Sequence, residues 1–528
     1  GYRFYFPNAD WQIIPQKLDL FKSLSIISSP AFSHRRIWYG YGTGSKQADA
    51  DYNFWVQANR MGGSMNAYFG HAYAGIIERN KAAFLEHPEW FYPVAKKGTI
   101  PNDAKFDVSN EDLVQLVIRD TEKEIETSIR NGTSKYKMIS LGPSDGPGTC
   151  NTPACQKLGT ITDRVYYLVN RVAKAVRKKY PSSWIGCLAY SEYIAPPTSR
   201  VEPNVFVGIT TAFNNSDIPT DQLMQRWSAK GATVGVYDYF SWYLWDFDVP
   251  GQSLASRTDE LIASIKKYHS KGARAYEAES SIGWVSKGLG YYLASKLMWD
   301  IKFDAEKARA EFFSLSFKKA AGTMQKLWAE WEQNAFTIVR ENDLARWIGY
   351  ATTAAEEEKD PAVQKRLFQV NSYLHYLSLY REYQLVKSEP NLLALLNFGY
   401  RKLDDGSVAG YPAFFTLGGS SGIPGMSFSQ DAKWRKNNEP VTASELRSLL
   451  QKDKAKLNTG FAVQKFAAPV NFTTVPDVTR FSKLYSDSIL KSNSYWLLNE
   501  WVIEIKKKGS QNYIEFIGDF VKNPANKT

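Results

Sequence analysis

The stretch YKMISLGPSDGPGTCNTPAC, residues 136–155, decides the fold. Tyr136 to Leu141 is a short apolar run cut off by Gly142-Pro143, which reads as a buried strand. Beyond the loop, Val165, Leu168, Val169, Val172 and Val176 recur at helical spacing, and the stripe stops before Pro181. Strand, loop and amphipathic helix form the repeating piece of a βαβ unit, and the piece recurs on both sides. Upstream, Arg35 to Tyr39, Met65 to His71 and Lys105 to Ser109 read as strands. Asn110 then supplies a helix N-cap ahead of Leu113, Leu116 and Val117. Downstream, Trp184 to Tyr190, Val205 to Ile209, Ala232 to Tyr237 and Ala273 to Tyr276 follow. Strands alternating with helices predict a parallel sheet, and eight such units predict an α/β fold of the closed (β/α)8 barrel type over 35–300. Ala195-Pro196-Pro197 stands where the fifth helix belongs, and 72–104 is a long excursion. A doubly wound open sheet is the structural alternative.

After residue 300 the pattern changes to long helices. Ala310, Phe313, Phe317 and Ala320 form one stripe, and Leu367, Val370, Leu374 and Leu377 form another. The reading is a helical region over 301–425 packed on the barrel, then a smaller mixed region over 426–528. The second contains strand-like pieces at Trp501 to Ile505 and Tyr513 to Phe516, and the loop at 418–422 marks the boundary.

Composition narrows the function classes. The 528 residues include 16 Trp, 31 Tyr and 29 Phe, and 44% are hydrophobic, which excludes a disordered or collagen-like chain. No run of about 18 apolar residues predicts a membrane span. The net charge of +11 would suit nucleic acid or an acidic polymer, but the basic residues are dispersed among acidic ones. The longest basic runs are Arg177 to Lys179 and Lys506 to Lys508, so a solvated basic surface is expected and no nucleic-acid partner. The chain opens on GYRFYFP, which reads as the middle of a folded region, so its N-terminus names no compartment.

In a barrel, chemistry sits at the C-terminal ends of the strands. Those ends carry Asp107, then Asp145, Glu192, Asp238, and the pair Glu277 and Glu279. Tyr190, Tyr237, Tyr239, Trp242 and Trp245 lie among them. Carboxylates beside flat rings suit sugar chemistry: one acid protonates the glycosidic oxygen, another stabilises positive charge, and rings stack on the sugar's apolar face. Each residue also has a structural reading. Asp145-Gly146 is a common turn former, Glu192 suits an exposed loop, and the rings suit a core. Convergence on one face favours the chemical reading. Cys150 and Cys155 have no histidine at zinc-motif spacing, so a local disulfide or free thiols are expected and no metal. No Walker A motif, dinucleotide fingerprint or G-x-S-x-G elbow appears, and Gly40-Tyr41-Gly42-Thr43-Gly44 lacks the fingerprint spacing. No cofactor is expected.

The motifs LGPSDGPGTCNTPAC (141–155), NRVAKAV (170–176), LAYSEYIAPP (188–197) and NVFVGI (204–209) resemble the domain-of-unknown-function 4838 group. NRMG (59–62), the GHAY around His71, HPEWF (87–91) and YYLASKLMWD (291–300) carry the same resemblance. That group looks related to glycoside hydrolase family 163, with endo-β-N-acetylglucosaminidase activity on complex N-glycans. The resemblance implies a catalytic barrel with accessory domains in a secreted, periplasmic or cell-surface protein, with 1–34 a remnant or linker of an N-terminal accessory domain. It carries over to Asp145 first and to Glu192 second. An N-acetylhexosaminide can use its own acetamido oxygen as nucleophile, so the protein supplies one carboxylate to orient that group and one protonated acid. The expected catalytic set is Asp145 with Glu192, Asp238 or Glu277. The expected substrate-binding set is Arg60, His71, Asp107, Tyr190, Tyr237, Tyr239, Trp242 and Trp245. The expected partner is an oligosaccharide or glycoprotein glycan. An exo-acting enzyme resembling α-glucuronidases and a non-catalytic glycan-binding protein are the alternatives.

Overall fold

A computed structural model describes residues 2–15, 27–63, 68–132 and 138–459 of the chain. Its centre is a seven-stranded sheet. Along the chain the strands are β1 (His34–Tyr39), β2 (Gly62–Gly63), β3 (Met138–Ser140), β4 (Trp184–Ser191), β5 (Val205–Asn214), β6 (Thr233–Tyr239) and β7 (Ala275–Ser280). In space the order is β2-β1-β7-β6-β5-β4-β3, all parallel except the short β2 at one edge. The principal helices around it are α1 (Lys46–Ala58), α2 (Glu111–Arg130), α3 (Ile161–Lys179), α4 (Thr220–Ala229), α5 (Thr258–Ser270) and α6 (Trp284–Trp299).

The closed eight-stranded barrel is overturned: the sheet is a curled half-barrel with two edges. Six of the expected strands take their places in it, and two do not. Of the expected strand at 65–71, residues 65–67 lie outside the described residues, and the rest makes only a single bridge, His71 to Gly142. This segment lies instead over the concave face. A Cβ on Gly186 of β4 would come within 2.2 Å of the Tyr68 carbonyl oxygen, and one on Gly208 of β5 within 2.3 Å of the Phe69 ring. The two glycines thus make room for a segment that fills the half-barrel rather than closing it. The other missing strand, Lys105–Phe106, pairs antiparallel with Phe91–Tyr92 in a separate ribbon.

Local signals hold where the strands do. Asn110 caps α2 by accepting from the Leu113 N–H at 3.1 Å. Thr160 and Asp163 form a reciprocal capping box on α3, whose valine stripe is buried and which ends at Tyr180 before Pro181. The β4–β5 connection is a loop containing the expected prolines.

Helices α7 (Ala305–Phe317), α8 (Ala321–Glu332), α9 (Glu341–Glu357), α10 (Pro361–Leu385), α11 (Glu389–Arg401) and α12 (Ala443–Thr459) form the second layer. The strand-like pieces expected at 501–505 and 513–516 lie outside the described residues. Helix α6 is buried on nearly all sides and joins the layers. A small hairpin, Arg3–Phe4 with Gln12–Ile13, is wedged into the same seam. Its Tyr5, Phe6 and Trp11 are buried, and Trp11 Nε1 donates to Gln369 Oε1 on α10 at 2.7 Å. Arg3 forms a two-pronged bond to Glu311 on α7. A fully buried ion pair, Lys287 of α6 with Asp248, sits nearby, and Asp248 also accepts from the Ala409 N–H at 2.8 Å. Among the described residues no helix is long and apolar enough to cross a membrane.

Candidate functional site

The concave face is lined by alternate residues of neighbouring strands. In the parallel register Tyr237 lies beside Glu277, Tyr239 beside Glu279, and Glu279 beside Trp38. The lower carboxylate, Glu277, is buried and held by the Arg36 guanidinium at 2.7 Å, with His34 Nε2 at 3.6 Å. One pleat further toward the open end, Glu279 has no cation beside it among the described residues. Its only side-chain donor among the described residues is Tyr237 Oη, at 3.1 Å. Burial pushes the Glu279 carboxyl up to about 7 against the pull of the Tyr237 hydrogen bond, and the charges of Asp145 and Glu277 add to the rise. It is a buried acid poised to keep its proton near neutral pH.

Asp145 stands in the loop after β3 with its side chain largely exposed. It accepts from Tyr190 Oη at 3.1 Å and from the Gly146 N–H at 2.8 Å, and His71 Nε2 is 3.6 Å away. His71 Nδ1 lies 2.6 Å from the Pro143 carbonyl, so that nitrogen carries hydrogen and Nε2 is turned to Asp145. Burial and the Asp145 charge push the Tyr190 hydroxyl up to about 12, which keeps it a donor. The loop is fixed from beneath by Lys105, whose ammonium donates to the carbonyls of Ser144, Asp145 (2.6 Å) and Gly146 (3.1 Å). Burial lowers the Lys105 pKa. Cys150 and Cys155 close the same loop as a disulfide, so these sulfurs are not free to ligate a metal beside Asp107.

Aromatic rings form an arc between the two carboxylates. Tyr190 meets Phe213 at 5.8 Å, Phe213 meets Tyr239 and Trp245 at 5.7 Å each, and Trp245 meets Trp242 at 6.5 Å. Phe213 and Trp245 are exposed, so the arc faces solvent. Gly40 lets the rings approach Glu279: a Cβ there would lie 2.4 Å from Glu279 Oε1 and 2.6 Å from the Trp242 ring.

The structure therefore brings together Asp145, His71, Tyr190, Tyr237, Tyr239, Trp242 and Trp245 of the expected set, with Glu277 one pleat below. Glu192 is exposed on the turn after β4, close enough for its charge to act on Lys105. Asp238 points to the other face of the sheet, where it is buried and accepts from Thr211, Tyr276 and the Tyr239 N–H. Asp107 folds back on the Ser109 N–H at 3.0 Å in the side ribbon. Arg60 stacks on Trp299 with 4.9 Å to the ring centroid, at the N-terminal end of β1 and away from Glu279. The expected last strand ends at Tyr276, and the expected catalytic set takes Glu277 and not Glu279. That strand runs on to Ser280, and its length was the missing signal. Lys105 and Phe213 carried no motif, and Tyr41 was visible only as part of a glycine-rich loop. A small pocket lies beside the Asp145 loop, lined by Tyr73, Phe106, Thr149 and Val165 among others. Its cations Lys105 and Arg164 are committed to backbone carbonyls.

Fold and site together define a mixed α/β protein with a buried carboxyl that no cation among the described residues neutralises and an exposed aromatic arc at the C-terminal edge of a half-barrel sheet. The chain belongs to the family described as Domain of unknown function (DUF4838), whose family model matches residues 6–329. That match takes in the second strand of the wedge, the sheet and the helices through most of α8, leaving Arg3–Phe4 and α9–α12 beyond it. No curated protein matches the chain.

Proposed function

We propose that the protein is a glycoside hydrolase that cleaves within N-acetylglucosamine-containing glycans such as complex N-glycans, by a retaining, substrate-assisted route. The observation that carries this reading is Glu279, a carboxyl pushed up to about 7 by burial, with no cation beside it among the described residues and an aromatic surface next to it. A general acid needs a pKa near the working pH, and burial supplies it here. Glu279 gives its proton to the leaving glycosidic oxygen. As the bond breaks, positive charge develops at the anomeric carbon, and the substrate's acetamido oxygen attacks it. Asp145, steadied by Tyr190 and faced by His71, orients the acetamido N–H and balances the charge of the cyclic intermediate. Water then opens that intermediate, and the Glu279 carboxylate takes the water's proton. The rings of Tyr239, Trp242 and Trp245 hold the sugar's apolar face.

The test is incubation with a panel of N-glycoproteins and uronic-acid oligosaccharides, with products read by mass spectrometry. Release of glycans lacking one core N-acetylglucosamine is expected. Release of single uronic acids would turn the reading to an exo-acting enzyme. Binding without turnover on every substrate would leave a glycan-binding protein.

A further inference from the structure

Phe213 breaks the alternation of its own strand. Side chains of a strand point to the two faces in turn, so residues two apart share a face. Thr211 faces the outer layer, where its hydroxyl donates to the buried Asp238. Phe213, two positions on, should follow it, yet its ring lies against Tyr190 and Tyr239 on the concave face. A bulge between β4 and β5 makes the difference. From Ala189 to Ser191 β4 advances two positions, while β5 advances five, from Ile209 to Asn214. Within it Phe213 takes a left-handed backbone, with φ of +55°, and Ser191 of the neighbouring strand takes one at +50°. That conformation is uncommon for any residue but glycine and costly for a bulky one. Bulges beside sites re-aim side chains, and this one turns a large apolar ring to the mouth of the half-barrel.

Polar side chains hold the bulge. Asn215 Nδ2 donates to Ser191 Oγ at 3.1 Å, Asn214 Oδ1 accepts from the Ser216 N–H at 2.9 Å, and Asn214 Nδ2 donates to the Ile218 carbonyl at 2.8 Å. The core gains little from the ring, because Phe213 stays 49% exposed. No neighbouring ring lies flat on it: Tyr190, Tyr239 and Trp245 are inclined to it at 71°, 72° and 48°. Phe213 stands between Tyr190, which donates to Asp145, and Tyr239, the register neighbour of Glu279. A phenyl ring offers neither hydrogen bond nor charge, so what it adds is contact with C–H groups. In β-linked N-acetylglucosamine every ring substituent is equatorial, which leaves C–H groups on both sugar faces. A uronic acid instead brings a carboxylate, which is costly to desolvate against a ring.

We propose that Phe213 is a specificity-determining residue of the site, whose exposed ring takes the C–H face of the sugar lying between Asp145 and Glu279 and so selects uncharged hexosamine units over uronic acids. The proposal rests on the glycan reading of the site but not on its hydrolytic chemistry. It is tested by binding, in a Glu279→Gln background so that no probe is consumed. The probes are an N-acetylglucosamine oligomer and a glucuronic-acid oligomer of the same length, titrated by calorimetry. The parent should bind the first more tightly. Phe213→Ala and Phe213→Asn should each weaken it about tenfold, roughly the loss of one stacked ring, and leave the uronic-acid probe unchanged. Phe213→Tyr, which keeps the ring, should keep the affinity. Asn tolerates the left-handed backbone, so Phe213→Asn should melt no lower than Phe213→Ala, and its weak binding then reports the missing ring and not a misfolded bulge. Equal affinity of parent, Ala and Asn variants for the hexosamine probe would overturn the proposal and leave the glycan reading standing. Loss of affinity for both probes alike, which marks a merely structural ring, would overturn it as well. So would a parent that prefers the uronic acid. A parent that binds neither probe would sink the glycan reading itself, and the role of Phe213 with it.

Discussion

Glu279 is the residue on which the chemistry turns, and its neighbours give the reading a sign. Tyr237 donates to its carboxylate and so favours the charged form, whereas Asp145 repels it. Tyr237→Phe should move the alkaline limb of the kcat–pH profile upward from near 7, and Asp145→Asn should move it downward. Two shifts of the same sign would refute the assignment of Glu279 as the acid. Glu279→Gln should lower kcat by about 10²–10⁴ on substrates with poor leaving groups. Asp145→Asn should also lose most turnover, and full retention would remove it from the mechanism. The same carboxyl links stability to pH. Its folded pKa lies above its unfolded value of about 4.5, so the folded state holds a proton that the unfolded state releases. Its contribution is complete below about 4.5 and lost as pH rises through about 7, at most about 3 kcal/mol. Chemical denaturation at pH 5 and pH 8 should show a smaller difference in Glu279→Gln than in the parent.

Among the elements, the loop from Leu141 to Cys155 has the most fixings. It has a disulfide across its far end and the Lys105 ammonium against three of its carbonyls. Lys105→Met should leave those carbonyls without a donor and let Asp145 drift, raising KM and lowering kcat together. The chain-entropy estimate for so short a disulfide loop is about 2 kcal/mol. Reduction should therefore lower Tm and kcat together. This loop was the most legible part of the sequence, because a short apolar run, an Asp-Gly turn and a valine-striped helix all state their roles locally. The same locality explains the failures. Whether a strand joins a sheet edge or lies across its face is not encoded in its own residues. Segment 68–71 lies across the sheet because Gly186 and Gly208, more than a hundred positions away, leave it space. Asp238 and Tyr237 are neighbours in sequence yet face opposite layers, and only the strand's exact phase separates them. Glu279 was legible as a strand-end acid, but its freedom from cations was not, because Arg36 and His34 arrive from another strand.

At the scale of the whole molecule, two layers are locked by contacts of long sequence separation. The Lys287–Asp248 pair is wholly buried and receives a further bond from Ala409. Removing one partner of such a pair leaves an uncompensated charge, so Lys287→Met should cost about 3–5 kcal/mol in a urea titration. Trp11→Ala should cost a similar amount, by removing a buried ring and leaving Gln369 Oε1 without its donor. The wedge that carries Trp11 also sets an order of events. Its partner on α10 lies 358 residues further along, so on a ribosome making about 5–20 residues per second it waits tens of seconds for that helix. Before that wait ends, α6 and α7 emerge and cover Tyr5, Phe6 and Trp11 with Trp284, Tyr292, Phe312 and Phe317. A chain ended at residue 329, where the family's match stops, would keep those rings but leave Trp11 Nε1 without its acceptor and the Asp10 carbonyl without Arg366. The boundary that sequence kinship draws therefore cuts the hydrogen bonds that tie the wedge to α10, and not its aromatic core.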